Sequence, residues 1–225
     1  MNNKNKSLFM ITLAIVSIFL LFLMNKPTSS KDWQVVNKYV KPKVIVFIGD
    51  SITEGANFKD AFENTIVLNK GICGDDTYDI IDRLRDDVYD FMPDKVFLLI
   101  GINDIGKDMD NEQIIENIDK IISDLKDNCP NTEIYLQSIY PVNNTNDKKI
   151  DKKYFKYQNN KDVIAINKKI KDIADDKNIT YIDIYSHLLD ENDNLKLSYT
   201  KEGLHLNEEG YEAVYKILED YIYKK

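Results

Sequence analysis

The sequence predicts an α/β domain, with a five-stranded parallel sheet between two layers of helices, preceded by an N-terminal membrane helix. Three observations predict it. Apolar, β-branched runs recur five times after residue 42, each with the length and near-continuous apolarity of a strand covered on both faces. Stripes of apolar residues at helical spacing lie between and after these runs. Ahead of them all stands one uncharged stretch, Leu8 to Met24. Strands alternating with helices imply right-handed crossovers and a parallel sheet. Five of them in about 180 residues suggest a flavodoxin-like three-layer α/β/α sandwich.

Residues 1–25 read as a short cytoplasmic tip and a transmembrane signal-anchor helix. "LFMITLAIVSIFLLFLM" is at the short end of the roughly 17–25 residues that span a bilayer. Lys4 and Lys6 favour a cytoplasmic N-terminus, while Lys26 and Lys31 on the other flank blur the bias. This makes the chain a single-pass protein of the cell membrane with its main domain extracellular. A cleaved secretory signal is the alternative reading, which the length of the run and the weak "TSS" at Thr28 to Ser30 argue against. Residues 26–42 form a polar stem, and residues 43–225 the domain that carries the chemistry.

Within that domain the strand candidates are "KVIVFIGD" from Lys43, "TIVLNKGI" from Thr65, "KVFLLIGI" from Lys95, "EIYLQSIY" from Glu133 and "TYIDIY" from Thr180. The helical stripes are Ile80, Ile81, Leu84, Val88 and Phe91; then Ile114 through Leu125; then Val163, Ile166, Ile170 and Ile173; and finally Tyr211 through Ile222. One connection is too long to be routine, Pro141 to Lys161, and such loops are often lids or binding loops. Its Tyr154, Phe155 and Tyr157 are candidate substrate contacts, although an Asn/Lys-rich solvated insertion reads equally well.

With 43% hydrophobic and 30% charged residues, the chain can bury a sizeable core. A net charge of -8 argues against a nucleic-acid partner, because phosphate binding needs a basic face. No His/Asp/Glu set shows metal-ligand spacing, and no cofactor is expected. Cys73 and Cys129 fall at opposite ends of the predicted sheet and are expected to be free thiols, Cys73 as a small, half-buried filler.

In such sheets ligands bind beyond the carboxyl ends of the strands, and the chemically interesting residues gather there. Ser51 ends the first run, Gly74 follows the second in "NKGICGDD" and Asn103 follows the third in "LIGINDIG". Ser51 could be a nucleophile or only a helix cap. As a nucleophile it needs a base, and His205, on the same rim, is a better candidate than His187. Glu202, three residues earlier, could orient the imidazole. The Ser51 and Gly74 N–H groups and the Asn103 amide could hold an oxyanion. Asp50 and Asp104 more simply brace the rim loops than react.

"GDSITEG", "NKGICGDDT", "GIND" and "EGLHLNEEGY" resemble, in order and spacing, the four signature blocks of the SGNH (GDSL-type) esterase and lipase family. The serine, glycine, asparagine and histidine that name the family fall on Ser51, Gly74, Asn103 and His205. The resemblance covers Lys43 to the terminal helix and implies metal-free ester hydrolysis through an acyl-enzyme. The family's last block usually reads Asp-x-x-His, whereas here it is Glu202-x-x-His205, which puts the third triad member in question. The expected substrate is an ester: a glycan O-acetyl group, a short acyl ester or, in the lipase variant of the reading, a lysolipid. A catalytically inactive surface-binding relative is the rival from another class.

Overall fold

Strand β1, Val44–Gly49, sits inside the sheet and is apolar on both faces, so neither face can be left to water. Beside it lie β2 (Ile66–Gly71), β3 (Lys95–Leu99), β4 (Glu133–Gln137) and β5 (Thr180–Ile182). All neighbours pair in parallel, in the order β2-β1-β3-β4-β5. The computed structural model describes residues 43–62 and 65–223. The proposed anchor and stem, residues 1–42, lie outside the described residues. Among those described, no helix is long and apolar enough to cross a membrane.

Helices α1 (Ser51–Glu54) and α2 (Phe58–Ala61) follow β1, and α3 (Thr77–Asp87) follows β2. After β3 come α4 (Ile102–Gly106) and α5 (Asn111–Asn128); α6 (Asn160–Asp176) joins β4 to β5, and α7 (Glu208–Ile222) closes the domain. Helices α3, α5 and α6 pack side by side as one layer. The opposite face carries α2 and α7, where Tyr215 meets Phe58 and Phe62 edge-on and Tyr221 meets Tyr135. Phe47, Phe97 and Tyr135 are register neighbours on three strands, and their rings stack at 4.7 and 4.5 Å. Lys95 is fully buried beside this row, and its ammonium donates to the Tyr135 hydroxyl and the Tyr221 carbonyl, satisfying a carbonyl in the last turn of α7.

Two local expectations change. The apolar stripe through Val88 and Phe91 is not one helix: α3 stops at Asp87, and a 3₁₀ turn, Tyr89–Phe91, follows. Met92 takes a left-handed conformation (φ 43°) just before Pro93, where a helix cannot easily continue. Phe91 is accordingly exposed, under the Lys70 ammonium rather than in the core. The fifth strand is half the expected length. Ser138 Oγ accepts the N–H groups of Ile184 and Tyr185 and turns the chain off the sheet into a 3₁₀ turn, Tyr185–Leu188.

The chain leaves β1 towards β2 and then crosses to β3 on the other side. The loops after β1 and β3 therefore diverge, and a crevice opens between them at the carboxyl edge.

Candidate active site

At the end of β1, Asp50 has extended backbone and its Oδ1 accepts the Ile52 N–H at 2.8 Å, which makes it the N-cap of α1. Ser51 is therefore the first helical residue and its hydroxyl is not used by the cap. That hydroxyl lies 3.0 Å from His205 Nε2. The short α1 is held from two sides. Asn69 Nδ2 on β2 donates to the Thr53 and Ala56 carbonyls at 2.8 and 3.0 Å, and the Tyr211 hydroxyl on α7 donates to the Ile52 carbonyl at 2.8 Å. Close approach of α1 to β2 requires glycine at position 71, where a Cβ would fall 2.1 Å from the Glu54 nitrogen.

His205 sits in a loop folded on itself between Thr200 and Leu206, which pair as an antiparallel bridge. The Thr200 hydroxyl donates to the His205 carbonyl at 2.8 Å and accepts the Gly203 N–H at 2.7 Å. This turn brings Glu202 back onto the histidine. Glu202 Oε1 accepts the His205 backbone N–H at 3.0 Å and pairs with the ring Nδ1. An Nδ1–H donated to the carboxylate leaves the Nε2 lone pair facing Ser51. The longer glutamate side chain reaches the imidazole directly, with no backbone carbonyl standing in.

A hydroxyl, an imidazole and a carboxylate in line form the arrangement that activates a serine for acyl transfer. A family model for the GDSL-like lipase/acylhydrolase family matches residues 47–213, from the end of β1 into α7. The chain belongs to that family. It is a carboxylic ester hydrolase. Solved structures share the fold. A Streptococcus pneumonia protein provisionally named a platelet activating factor is 31% identical with TM-score 0.75, over 94% of this chain and 99% of that one. A GDSL-like lipase from Bacteroides thetaiotaomicron is 24% identical with TM-score 0.70, covering 85% and 96%. An acetyl xylan esterase is 24% identical with TM-score 0.65, covering 80% and 99%. A search among curated proteins found no match.

In this hydrolase the other rim residues are placed by one network. Asn103, in the first turn of α4, donates through Nδ2 to the Asp75 carbonyl at 2.8 Å, leaving its second amide hydrogen unclaimed by that bond. Gly74 precedes Asp75 in an exposed turn with φ +88°, a conformation that favours glycine. Sequence reasoning missed what anchors this turn. Arg83 on α3 pairs with Asp75 at 2.7 Å and donates to the Gly49 carbonyl at 3.0 Å, joining the β2 loop to the base of the nucleophile loop. Asn69 was missed too, although an asparagine inside an apolar strand run is itself a signal. Asp104 is fully buried and accepts the Thr77 N–H and hydroxyl, so it braces the rim.

The long loop leaving β4 lies against the histidine loop. The Asp151 N–H donates to the Glu202 carbonyl at 3.1 Å and the Asn143 N–H to the Gly203 carbonyl at 2.8 Å. Tyr154 stands edge-on to the His205 ring with centroids 5.6 Å apart. Phe155 instead turns inward beneath Gly203 and packs on the core. Tyr157 is exposed, and its ring meets Lys156 and not His205. His187 is exposed beside Glu209 and Lys216 on the outer side of α7. Both cysteines are free; Cys73 is exposed where a half-buried filler was expected, because its turn lies on the open rim, and Cys129 is buried. Among the described residues, no group of three or more His, Cys, Asp or Glu is disposed to hold a metal.

The charge beneath the nucleophile is unusual. Burial pushes the Asp50 carboxyl up to about 7 against the pull of the Ile52 N–H, and Asp104 and Asp75 push the same way. Asp76 is held below the usual range, with Lys107 and backbone donors outweighing its burial.

Proposed function

We propose that this hydrolase cleaves short acyl esters, O-acetyl groups of glycans or small molecules foremost, through an acyl-enzyme on Ser51. The observation that carries the reading is the line Ser51 Oγ, His205 Nε2, His205 Nδ1, Glu202 Oε1. His205 Nε2 takes the Ser51 proton as Oγ attacks the ester carbonyl carbon, whose π pair moves onto oxygen. The Ser51 and Gly74 N–H groups and the Asn103 amide hold that oxyanion, contributing about 2.7–4 kcal/mol per donor. Collapse re-forms the carbonyl and expels the alcohol, which takes the proton from His205. Water then attacks the acyl-serine with His205 again as base, releasing the acid and restoring Ser51. Glu202 stays ionised and holds the imidazolium.

An open rim and a polar loop around Tyr154 support small substrates over long acyl chains. The acetyl xylan esterase among the similar structures acts on an acetylated glycan, which is in keeping with this reading. A lysolipid is the second reading, favoured by exposed Ile72 and Tyr78 on the same rim. The test is hydrolysis of p-nitrophenyl acetate against longer p-nitrophenyl esters, beside Ser51→Ala. The expected result is a preference for acetate and a loss of at least about 10³-fold in kcat in the variant. Residual activity close to wild type in Ser51→Ala would move the nucleophile elsewhere. A wild type inert to every ester and to a serine-reactive phosphonate would point to the inactive binder.

The same reading has Leu8 to Met24 anchoring the chain in the cell membrane with the hydrolase domain outside. Retention in the membrane after an alkaline wash, with the domain open to added protease on intact cells, is the expected outcome. Release of the chain into the medium would indicate the cleaved, secreted form.

A further inference from the structure

On a chain of net charge -8, residues 147–161 hold six lysines against two aspartates, making this a locally basic segment. Lys148, Lys149, Lys152, Lys153, Lys156 and Lys161 are all exposed. Only Lys153 forms an ion pair with a described carboxylate, the Asp151 of its own turn at 2.8 Å. Lys149 and Lys152 donate to the Leu197 and Asn144 carbonyls, which keep the loop folded but leave both charges uncompensated. The segment is joined to the reacting groups: the Lys153 ammonium lies 4.9 Å from the Tyr154 ring, and that ring stands on His205. Across the crevice Asp75 is paired with Arg83 and Asp76 with Lys107. The unpaired lysines of this segment therefore lie on the β4–α6 side, in the loop that carries Tyr154 to His205.

We propose that residues 147–161 select esters whose alcohol portion carries an anionic group, a phosphate or a carboxylate, held on this lysine loop while the acyl carbon meets Ser51. This rests on the esterase reading above and deepens it. The attraction acts between exposed charges, so it fades beyond about 8–10 Å at moderate ionic strength and weakens as salt is added.

The test compares two acetyl esters with the full chain, acetylglycerol and acetylglycerol phosphate, at low and at high salt. The readout is the ratio of their kcat/KM values, so a loop that merely loosens and slows both leaves the ratio intact. The expected ratio is about tenfold in favour of the phosphate ester at low salt, approaching unity at high salt. It should also approach unity in Lys148→Gln/Lys156→Gln/Lys161→Gln and be kept in the matching triple arginine variant. A wild-type ratio of one or below, or a ratio indifferent to salt and to the glutamines, would overturn the proposal. So would acceleration confined to esters dispersed in anionic vesicles, which would make the loop a membrane-docking surface. Should no ester be hydrolysed, the esterase reading fails by itself. Binding of glycerol 3-phosphate then decides the selection: salt-sensitive binding weakened by the glutamines upholds it, and no binding overturns it.

Discussion

Glu202 makes two bonds with one oxygen, to the His205 backbone and to its ring. Glu202→Gln can place its amide oxygen on both N–H groups, but a neutral oxygen supports an imidazolium poorly. A kcat lower by about 10²–10⁴-fold, with KM little changed, is expected from steady-state kinetics. Asp50 offers a second test at this scale, read in stability. Its folded carboxyl is raised to about 7 from 3.8. Between pH 4 and 7 the unfolded chain therefore releases a proton that the folded chain keeps, and stability falls as pH rises through that window. Asp50→Asn keeps an oxygen for the Ile52 N–H and does not titrate. Its stability relative to wild type should rise across that window by roughly 2–4 kcal/mol and be flat above it. A difference independent of pH in urea titrations would show that Asp50 is ionised throughout.

At the scale of elements, the site depends on loops packed against one another more than on the sheet. Gly203 has φ +109°, and a Cβ there would fall 2.3 Å from the Asn143 carbonyl oxygen, with Phe155 close behind. Gly203→Ala is expected to cost about 2–4 kcal/mol by denaturant melting and to lower kcat as well, because the histidine loop and the β4–α6 loop would part. Equal stability in the alanine variant would show that the loop can relax without losing its seat. The helix α1 is too short to be stable alone. Asn69, Tyr211 and the Asp50 cap hold it, so the direction of Ser51 is inherited from β2 and α7.

For the molecule as a whole, the aromatic row through Phe47, Phe97 and Tyr135 joins three strands to the α2 and α7 face. Phe97 is fully buried at its centre. Phe97→Ala should destabilise the fold by about 3–5 kcal/mol, seen as a lower urea midpoint with little change in slope. A loss under 1 kcal/mol would mean the row repacks. The strands and the flanking helices were legible because burial on both faces imposes apolar runs and stripes that one chain segment displays by itself. Ser51, His205 and Glu202 were legible as candidates because their neighbours in sequence already carry the needed groups. The Arg83 bond to Gly49, the Asn69 props and the inward turn of Phe155 were not, since each joins segments far apart in the chain. By itself, then, the sequence determined a parallel α/β sheet with its reactive groups at the strand ends, because periodicity and local chemistry are properties of neighbouring residues. Only the tertiary structure decided that Asp50 caps the helix and frees Ser51, that Glu202 reaches His205, and that Tyr154 alone of its loop meets the histidine. Those outcomes depend on distances between segments, which packing sets.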